Sequence, residues 1–189
     1  VGLFNIMEER DVQIKGYKIR LPLDVFIVAT ANPEDYTSRG RIITPLKDRF
    51  RSLVRTHYPV TRDIEVRIME QERKPYQGEG CQIQIPKFMK DIIAELTMVA
   101  RRSKELNQRS GISVRMSISN FEVLISNAEK RAILLGEKYA VPRISDLSSI
   151  FASSIGKIEL EYAGEEKSEI DIIHRFINRA VKSLSLIHI

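Results

Sequence analysis

The stretch Val25-Phe-Ile-Val-Ala-Thr-Ala-Asn-Pro33 decides the predicted fold of the first part of the chain. Its first five residues, ending at Ala29, form a continuous β-branched and aromatic run, which is typical of a strand buried on both faces of a parallel sheet. Pro33 forces Asn32 toward an extended conformation and ends the strand. Ligands of open α/β sheets bind at the carboxyl ends of strands, which makes Asn32 a candidate binding residue. The alternative is that Asn-Pro only starts a turn.

The segments around this strand also predict a mixed α/β region. The alternation on either side of Lys15-Gly16 indicates a hairpin. The polar residues 34–43 predict a loop, Thr44 and Pro45 predict a short capped helix through Phe50, and residues 53–59 predict another strand. The chain opens on an apolar pattern from Val1 to Met7 that indicates an amphipathic helix.

The remainder of the chain carries helical patterns. Helices are predicted from Thr61, from Pro86, from a Ser119/Glu122 capping box to Gly136, from Ser145 and from Ser168. We therefore predict α/β followed by all-α, with residues 1–60 as the α/β part, 61–85 as a connecting helix and linker, and 86–182 as a helical domain. Residues 183–189 form an uncapped apolar stretch that we interpret as a tail foreign to the native protein.

Composition excludes several classes of protein. The 189 residues include 43% hydrophobic and 29% charged residues, without an apolar run long enough to span a membrane. Cys81 is the single cysteine, which excludes an internal disulfide, and no Cys/His cluster has metal-ligand spacing. A cytoplasmic location is predicted. The net charge of +5 is compatible with phosphate contacts but does not identify a partner.

Arginines supply the remaining candidates for chemistry. The sequence contains neither a G-x-x-x-x-G-K-[ST] loop nor an apolar strand that ends in Asp-Glu, and His57, His174 and His188 are scattered. Arginine suits bidentate phosphate contact, although surface arginines are usually only solvated. The candidates are Arg49 and its neighbour Arg51, Arg39 and Arg41 in the preceding loop, and Arg115 ahead of a predicted helix.

Four motifs in order resemble a known family. They are Met7-Glu-Glu-Arg10 with the hairpin through Gly16, Phe26-Ile-Val-Ala-Thr-Ala-Asn-Pro33, Pro45-Leu-Lys-Asp-Arg-Phe50, and Gly111-Ile-Ser-Val-Arg115. In this order they resemble the second half of an AAA+ ATPase, in the branch of the magnesium chelatase ATPase subunit and the MoxR-like proteins. The resemblance implies the carboxyl part of an αβα ATPase core followed by a helical lid.

The resemblance also implies roles for individual residues. Asn32 corresponds to sensor 1, which orients the attacking water or reports on the γ-phosphate of ATP. Arg49 corresponds to the arginine finger, with Arg39, Arg41 and Arg51 as further interface candidates. Arg115 corresponds to sensor 2 on the lid. The implied ligands are ATP and Mg²⁺, and the implied partners are further copies in a ring, a hexamer as in the family, and a protein with a von Willebrand factor A domain.

The resemblance leaves part of an ATPase unaccounted for. The opening on Val1 and the missing phosphate-binding motifs indicate a fragment that does not hydrolyse ATP alone, and its strand, exposed without neighbours, predicts marginal solubility. The alternative function is a helical interaction or DNA-binding module, based on the positive charge and the helix, turn, helix spacing from Gly136 to Asp146. Dispersed basic residues make nucleic acid the weaker choice. An enhancer-binding transcription activator shares the AAA+ core, and the sequence does not separate chelatase from chaperone.

Overall fold

The computed structural model describes residues 6–7, 11–20, 26–30, 48–73, 81–107, 111–159 and 168–187. The chain forms two compact units, Val1–Thr56 and His57–Ile189. Over the described residues the structure is mixed and mostly helical.

A β-hairpin is the regular element of the first unit's described part. Strand β1 (Asp11–Ile14) pairs antiparallel with β2 (Tyr17–Arg20). Lys15 and Gly16 between them have φ of 50° and 87°, and two successive positive φ angles match the twist of a two-residue hairpin turn. The predicted hairpin is therefore confirmed. Of the predicted opening helix, Ile6 and Met7 are described and are helical.

The two other strands predicted for the first part of the chain are not found. Residues 26–30 are irregular, with Phe26 92% and Val28 76% exposed. Residues 53–59 are irregular as well, and Leu53 and Val54 are exposed. An inner strand needs a hydrogen-bonded neighbour on each side, and the described strands of this unit pair only with each other. Within the part of the chain that the structure describes, these two runs have strand-like sequences but pair with no other strand.

The second unit is built from five helices and two short strands among its described residues. The helices are α1 (Arg62–Glu72), α2 (Lys87–Arg101), α3 (Val114–Leu135), α4 (Phe151–Ser154) and α5 (Glu169–Ile187). A 3-10 helix (Ile144–Ile150) precedes α4. Strands β3 (Gln82–Ile83) and β4 (Tyr139–Ala140) pair in parallel. This pairing joins the segment before α2 to the segment after α3.

One hydrophobic core holds the second unit together. Helix α2 is apolar on a wide stripe, and it packs against α1, α3 and α5. The largest fully buried apolar side chains come from these four helices, the 3-10 helix and one loop: Met69, Met89, Ile93, Leu96, Leu106, Met116, Phe121, Leu124, Ile150, Ile173 and Phe176. Burial on this scale stabilises by about 1.5 to 3 kcal/mol per large side chain. The predicted helical nature of this part of the chain is confirmed.

Helix ends show which local predictions were right. Thr61 caps α1 by accepting from the amide of Ile64 at 3.4 Å, and Ser168 accepts from the amide of Asp171 at 3.2 Å, as predicted. Gly136 ends α3 with φ of 63°, also as predicted. The predicted helix from Ser145 is instead mainly a 3-10 helix capped at Arg143, because Asp146 accepts from the Arg143 amide at 2.7 Å.

The predicted start of α3 at Ser119 is wrong. The helix begins at Val114, with Ser113 as its cap, so Ser119 lies inside it. The polar Ser117 and Asn120 are fully buried in the first turns of α3. They interrupt the apolar periodicity by which these turns would have been recognised as helical. Helix α5 also continues past the predicted end of its pattern, because Leu184 joins the core at 5% exposure.

The boundary between the units lies between Thr56 and His57. Helix α1, predicted as part of a connecting segment, packs within the helical unit through Met69 and Glu65, both fully buried. The linker predicted at residues 74–80 lies outside the described residues.

Candidate functional site

The six predicted site residues divide between the described and the undescribed parts of the chain. Asn32, Arg39 and Arg41 lie outside the described residues. Arg49 lies in a turn and is half-buried, and Arg51 is exposed. The amino-terminal part of the predicted helix 45–50 is also outside the described residues. Arg115 is described and lies in the second unit.

Arg115 is the second residue of α3, and its side chain is exposed. Ser113 caps the helix by accepting a hydrogen bond from the Arg115 amide at 3.2 Å. The side chains of Ile112 and Met116 are buried at 3% and 1% exposure, so they anchor this turn to the core. A helix N-terminus and a guanidinium both favour anions, so this turn combines two features that suit a phosphate.

The loop before Arg115 is held in a conformation that requires glycine. Gly111 has φ of 61°, and a Cβ at this position would overlap the hydroxyl of Tyr58. The Tyr58 ring therefore lies directly against the Gly111 backbone. The guanidinium of Arg101 lies over the same ring, 4.6 Å from its centroid. Arg101 Nε also donates to the Ile112 carbonyl at 2.9 Å.

A fully buried carboxylate completes this arrangement. Glu65 in α1 receives two hydrogen bonds from Arg101, at 2.7 Å from Nη1 and 3.0 Å from Nη2. The Ser117 hydroxyl donates to Glu65 Oε1, and the Thr97 hydroxyl lies 2.8 Å from that of Ser117. A buried carboxylate is tolerated only when its oxygens are satisfied in this way. We call Tyr58, Glu65, Thr97, Arg101 and Ser117 the Glu65 cluster.

A second ion-pair network lies at the other end of α3. Arg131 donates from Nη2 to Asp146 at 3.2 Å and to the Val141 carbonyl at 2.7 Å, and from Nη1 to Glu137 at 3.0 Å. Its hydrogen bond with Asp146 raises the pKa of Arg131 above the ordinary arginine value. The Arg131 network therefore joins α3 to the residues that follow Gly136.

The segment after Gly136 does not form the helix-turn-helix on which the alternative DNA-binding interpretation was based. Strand β4 and the 3-10 helix occupy most of residues 139–150, and β4 pairs with β3. The paired helices that place a recognition helix in the major groove are therefore not formed there.

Histidines and the cysteine have ordinary surroundings where they are described. His57 Nδ1 lies 2.8 Å from the Tyr58 carbonyl, the His174 and Phe151 rings are tilted at 53° with centroids 4.4 Å apart, and Cys81 is a half-buried free thiol. His188 lies outside the described residues. Across the described part of the chain, no three His, Cys, Asp or Glu side chains are grouped so that they could hold a metal ion. None of the described helices is both long and apolar enough to cross a membrane.

The Glu65 cluster was missed by sequence reasoning, although it left two signals. Glu65 stands four residues before the buried Met69, on the inner face of an amphipathic helix. Thr97 and Arg101 continue the stripe of Ile93 at intervals of four. Charged residues on an inner face are rarely buried unless paired, so the pairing of Glu65 with Arg101 could have been suggested.

Comparisons with protein families, with characterised proteins and with solved structures gave no match for this chain. Function must therefore be inferred from the residues themselves. Of the described site candidates, Arg115 has the most completely defined surroundings, because a capped helix start, a glycine loop and the Glu65 cluster all fix its backbone.

Proposed function

We propose that this chain is the sensing part of a ring-forming AAA+ ATPase, magnesium chelatase-like or MoxR-like, which couples ATP hydrolysis to remodelling of a partner protein. The carrying observation is the exposed Arg115 at the start of the longest helix of a helical unit, where the resemblance puts sensor 2. The hairpin at Lys15-Gly16, upstream of the sensor-1 motif in the sequence, also supports the proposal.

In this proposal Arg115 contacts the γ-phosphate of ATP. Its side chain is free of the core, and its backbone lies in the first turn of α3, where the helix dipole adds to its positive charge. A guanidinium that reaches the γ-phosphate distinguishes ATP from ADP, because ADP lacks that group. When hydrolysis removes the γ-phosphate, this contact is lost, and the nucleotide state is thereby coupled to the position of the helical unit.

Asn32 and Arg49 have the other proposed roles. Asn32 would orient the attacking water, and Arg49 would reach the nucleotide of a neighbouring copy as an arginine finger, a contact that contributes about 10³ to 10⁵ in rate. The alternative candidates for the contact with the neighbouring copy are Arg39, Arg41 and Arg51. In this proposal, the groups that these 189 residues contribute to ATP binding are those that act at its γ-phosphate. The phosphate cradle and the Mg²⁺ ligands would come from residues outside them.

The assembly belongs to the same proposal. An arginine finger works in trans, so the proposal requires several copies around a ring, six as in the family. The further partner would be a protein with a von Willebrand factor A domain, and the proposed location is the cytoplasm. The proposal applies equally to a magnesium chelatase and to a MoxR-like system that aids the maturation of other proteins.

Nucleotide discrimination by the intact polypeptide that carries this chain tests the role of Arg115. Arg115→Ala should lower the ratio of ATP to ADP affinity about tenfold or more, since a charged hydrogen bond is worth about 1.5 to 3 kcal/mol. The matched control is Arg102→Ala, which removes another exposed arginine of the same unit. An unchanged ratio in Arg115→Ala would refute the assignment.

Hydrolysis by the isolated 189-residue chain is a separate test. The chain holds no P-loop sequence, so we expect no turnover of ATP above the buffer rate. Turnover that disappears in Asn32→Ala would contradict the proposal, because it would mean that these residues form a complete active site.

A further inference from the structure

Arg101 makes more specific contacts than an ion pair requires. Two of its nitrogens bind the Glu65 carboxylate, the third binds the Ile112 carbonyl, and its face covers the Tyr58 ring. All of these lie within the second unit, and the Arg101 side chain is 11% exposed. One planar group therefore joins α1, α2 and the loop that leads into α3.

Stability alone does not account for this arrangement. A buried ion pair roughly balances its desolvation cost, and apolar residues of similar volume commonly stabilise as well. The guanidinium instead provides direction, because its fork fixes the plane of the group and Nε then has one position for a carbonyl. That carbonyl belongs to Ile112, three residues before Arg115.

Gly111 restricts the same loop from the other side. Its left-handed conformation lets the chain pass against the Tyr58 ring, which is itself held under Arg101. Ser117, one turn into α3, is bound to Glu65. The start of α3 is thus fixed before and after Arg115 by the same cluster.

We propose that Arg101 is a positioning residue for Arg115: held by Glu65, it fixes the Ile112 carbonyl and Tyr58 and so sets where α3 begins and where Arg115 points. This inference depends on the proposed function, in which Arg115 contacts nucleotide. It adds residues to which the resemblance gave no role.

Arg101→Lys is the decisive variant, because lysine keeps the positive charge for Glu65 but cannot hold the carboxylate and the Ile112 carbonyl in one plane. Arg131→Lys is the matched control. Arg131 lies on α3 itself, near the other end of the helix, and it also binds a buried carboxylate, that of Asp146, and a backbone carbonyl, that of Val141. A second pair is Gly111→Ala against Gly136→Ala, since the two glycines have φ of 61° and 63° but only a Cβ at Gly111 meets Tyr58.

Two measurements on the intact polypeptide test the proposal. The first is amide hydrogen exchange at residues 112–117 without nucleotide, which does not depend on the proposed function. The second is the ratio of ATP to ADP affinity, measured with each nucleotide and compared with Arg115→Ala. We expect Arg101→Lys and Gly111→Ala to speed exchange at 112–117 at least about tenfold and to lower the affinity ratio at least about threefold. The two controls should change neither.

The outcomes separate the two ideas. If Arg115→Ala leaves the affinity ratio unchanged, the proposed function fails, and the positioning role fails with it. If Arg115→Ala lowers the ratio while Arg101→Lys leaves both the ratio and the exchange rates unchanged, only the positioning role is overturned. Equal effects of Arg101→Lys and Arg131→Lys would also overturn it, because a general loss of stability would then explain both.

Discussion

Two aromatic residues show how differently the two units treat apolar side chains. Phe26 in the first unit is 92% exposed, whereas Phe121 in the second is 1% exposed. Phe121 lies on a helix that satisfies its own backbone hydrogen bonds, whereas Phe26 stands in a strand-like apolar run whose backbone needs neighbouring strands. An amphipathic helix carries its hydrogen bonds with it to the core. An inner strand is stable only as part of a sheet.

Proteolysis should show the largest difference between the units. Trypsin should cut after Arg51 and Arg55, which are exposed in irregular backbone, about 10³ times faster than after Arg101 and Arg131 in helices, because cleavage there requires helix opening. Mass spectrometry of a time course checks this, and the resistant product should begin near His57. Cleavage at similar rates in both units would show that the second unit is no more protected than the first.

Truncation of the two phenylalanines should separate the units by several kcal/mol. Phe121→Ala should lower the free energy of unfolding by about 3 to 5 kcal/mol, since it leaves a cavity in a packed core. Phe26→Ala should change it by less than about 0.5 kcal/mol because its side chain is already in solvent. Urea denaturation followed by far-UV circular dichroism measures both. A loss above about 2 kcal/mol in Phe26→Ala would mean that Phe26 is buried in solution.

The buried ion pair should be costly to break and cheap to replace. Glu65→Ala should destabilise the second unit by about 3 to 5 kcal/mol, because it leaves the Arg101 charge without its partner. The double variant Glu65→Leu with Arg101→Met should recover most of that loss. Lys90→Ala is the control, since the Lys90 and Glu70 pair is partly exposed and should be worth less than about 1 kcal/mol. Additive losses in the double variant would contradict this account.

The start of α3 gives a smaller and more local prediction. Ser113→Ala should cost about 1 kcal/mol, because it removes the hydroxyl that accepts from the Arg115 amide. Ser119→Ala should cost less, since Ser119 is inside the helix and alanine is the better helix former. Thermal unfolding of the two variants compares them directly. A larger effect at Ser119 would return the start of the helix to its sequence-predicted position.

Local signals predicted the second unit well. Thr61, Ser168 and Gly136 marked helix ends because capping depends on a few adjacent residues. The prediction failed at the start of α3, where the buried Ser117 bonds to Glu65, 52 residues away in sequence. Such a pair is visible only once the fold brings it together.

The candidate site was predictable in part. Arg115 was singled out by its motif, and the structure gives it an exposed position in the first turn of α3, while its role stays a prediction. Arg101 and Glu65 were not found, because their importance arises from tertiary contacts rather than from residue type. In the first unit the strand prediction failed for the opposite reason: the local pattern of residues 25–29 is strong, but strand formation depends on pairing with other strands.

ATP turnover by mixed assemblies tests the central claim most directly. The intact polypeptide and its Arg49→Ala variant would be mixed in varying proportions at a constant total concentration, and the rate of hydrolysis measured. If the finger acts on the neighbouring copy, the pure variant should lose nearly all ATP turnover while it still binds nucleotide. In the mixtures, the turnover rate should not fall in simple proportion to the fraction of variant if the copies in the ring act together. Near-normal turnover by the pure Arg49→Ala protein would contradict the account.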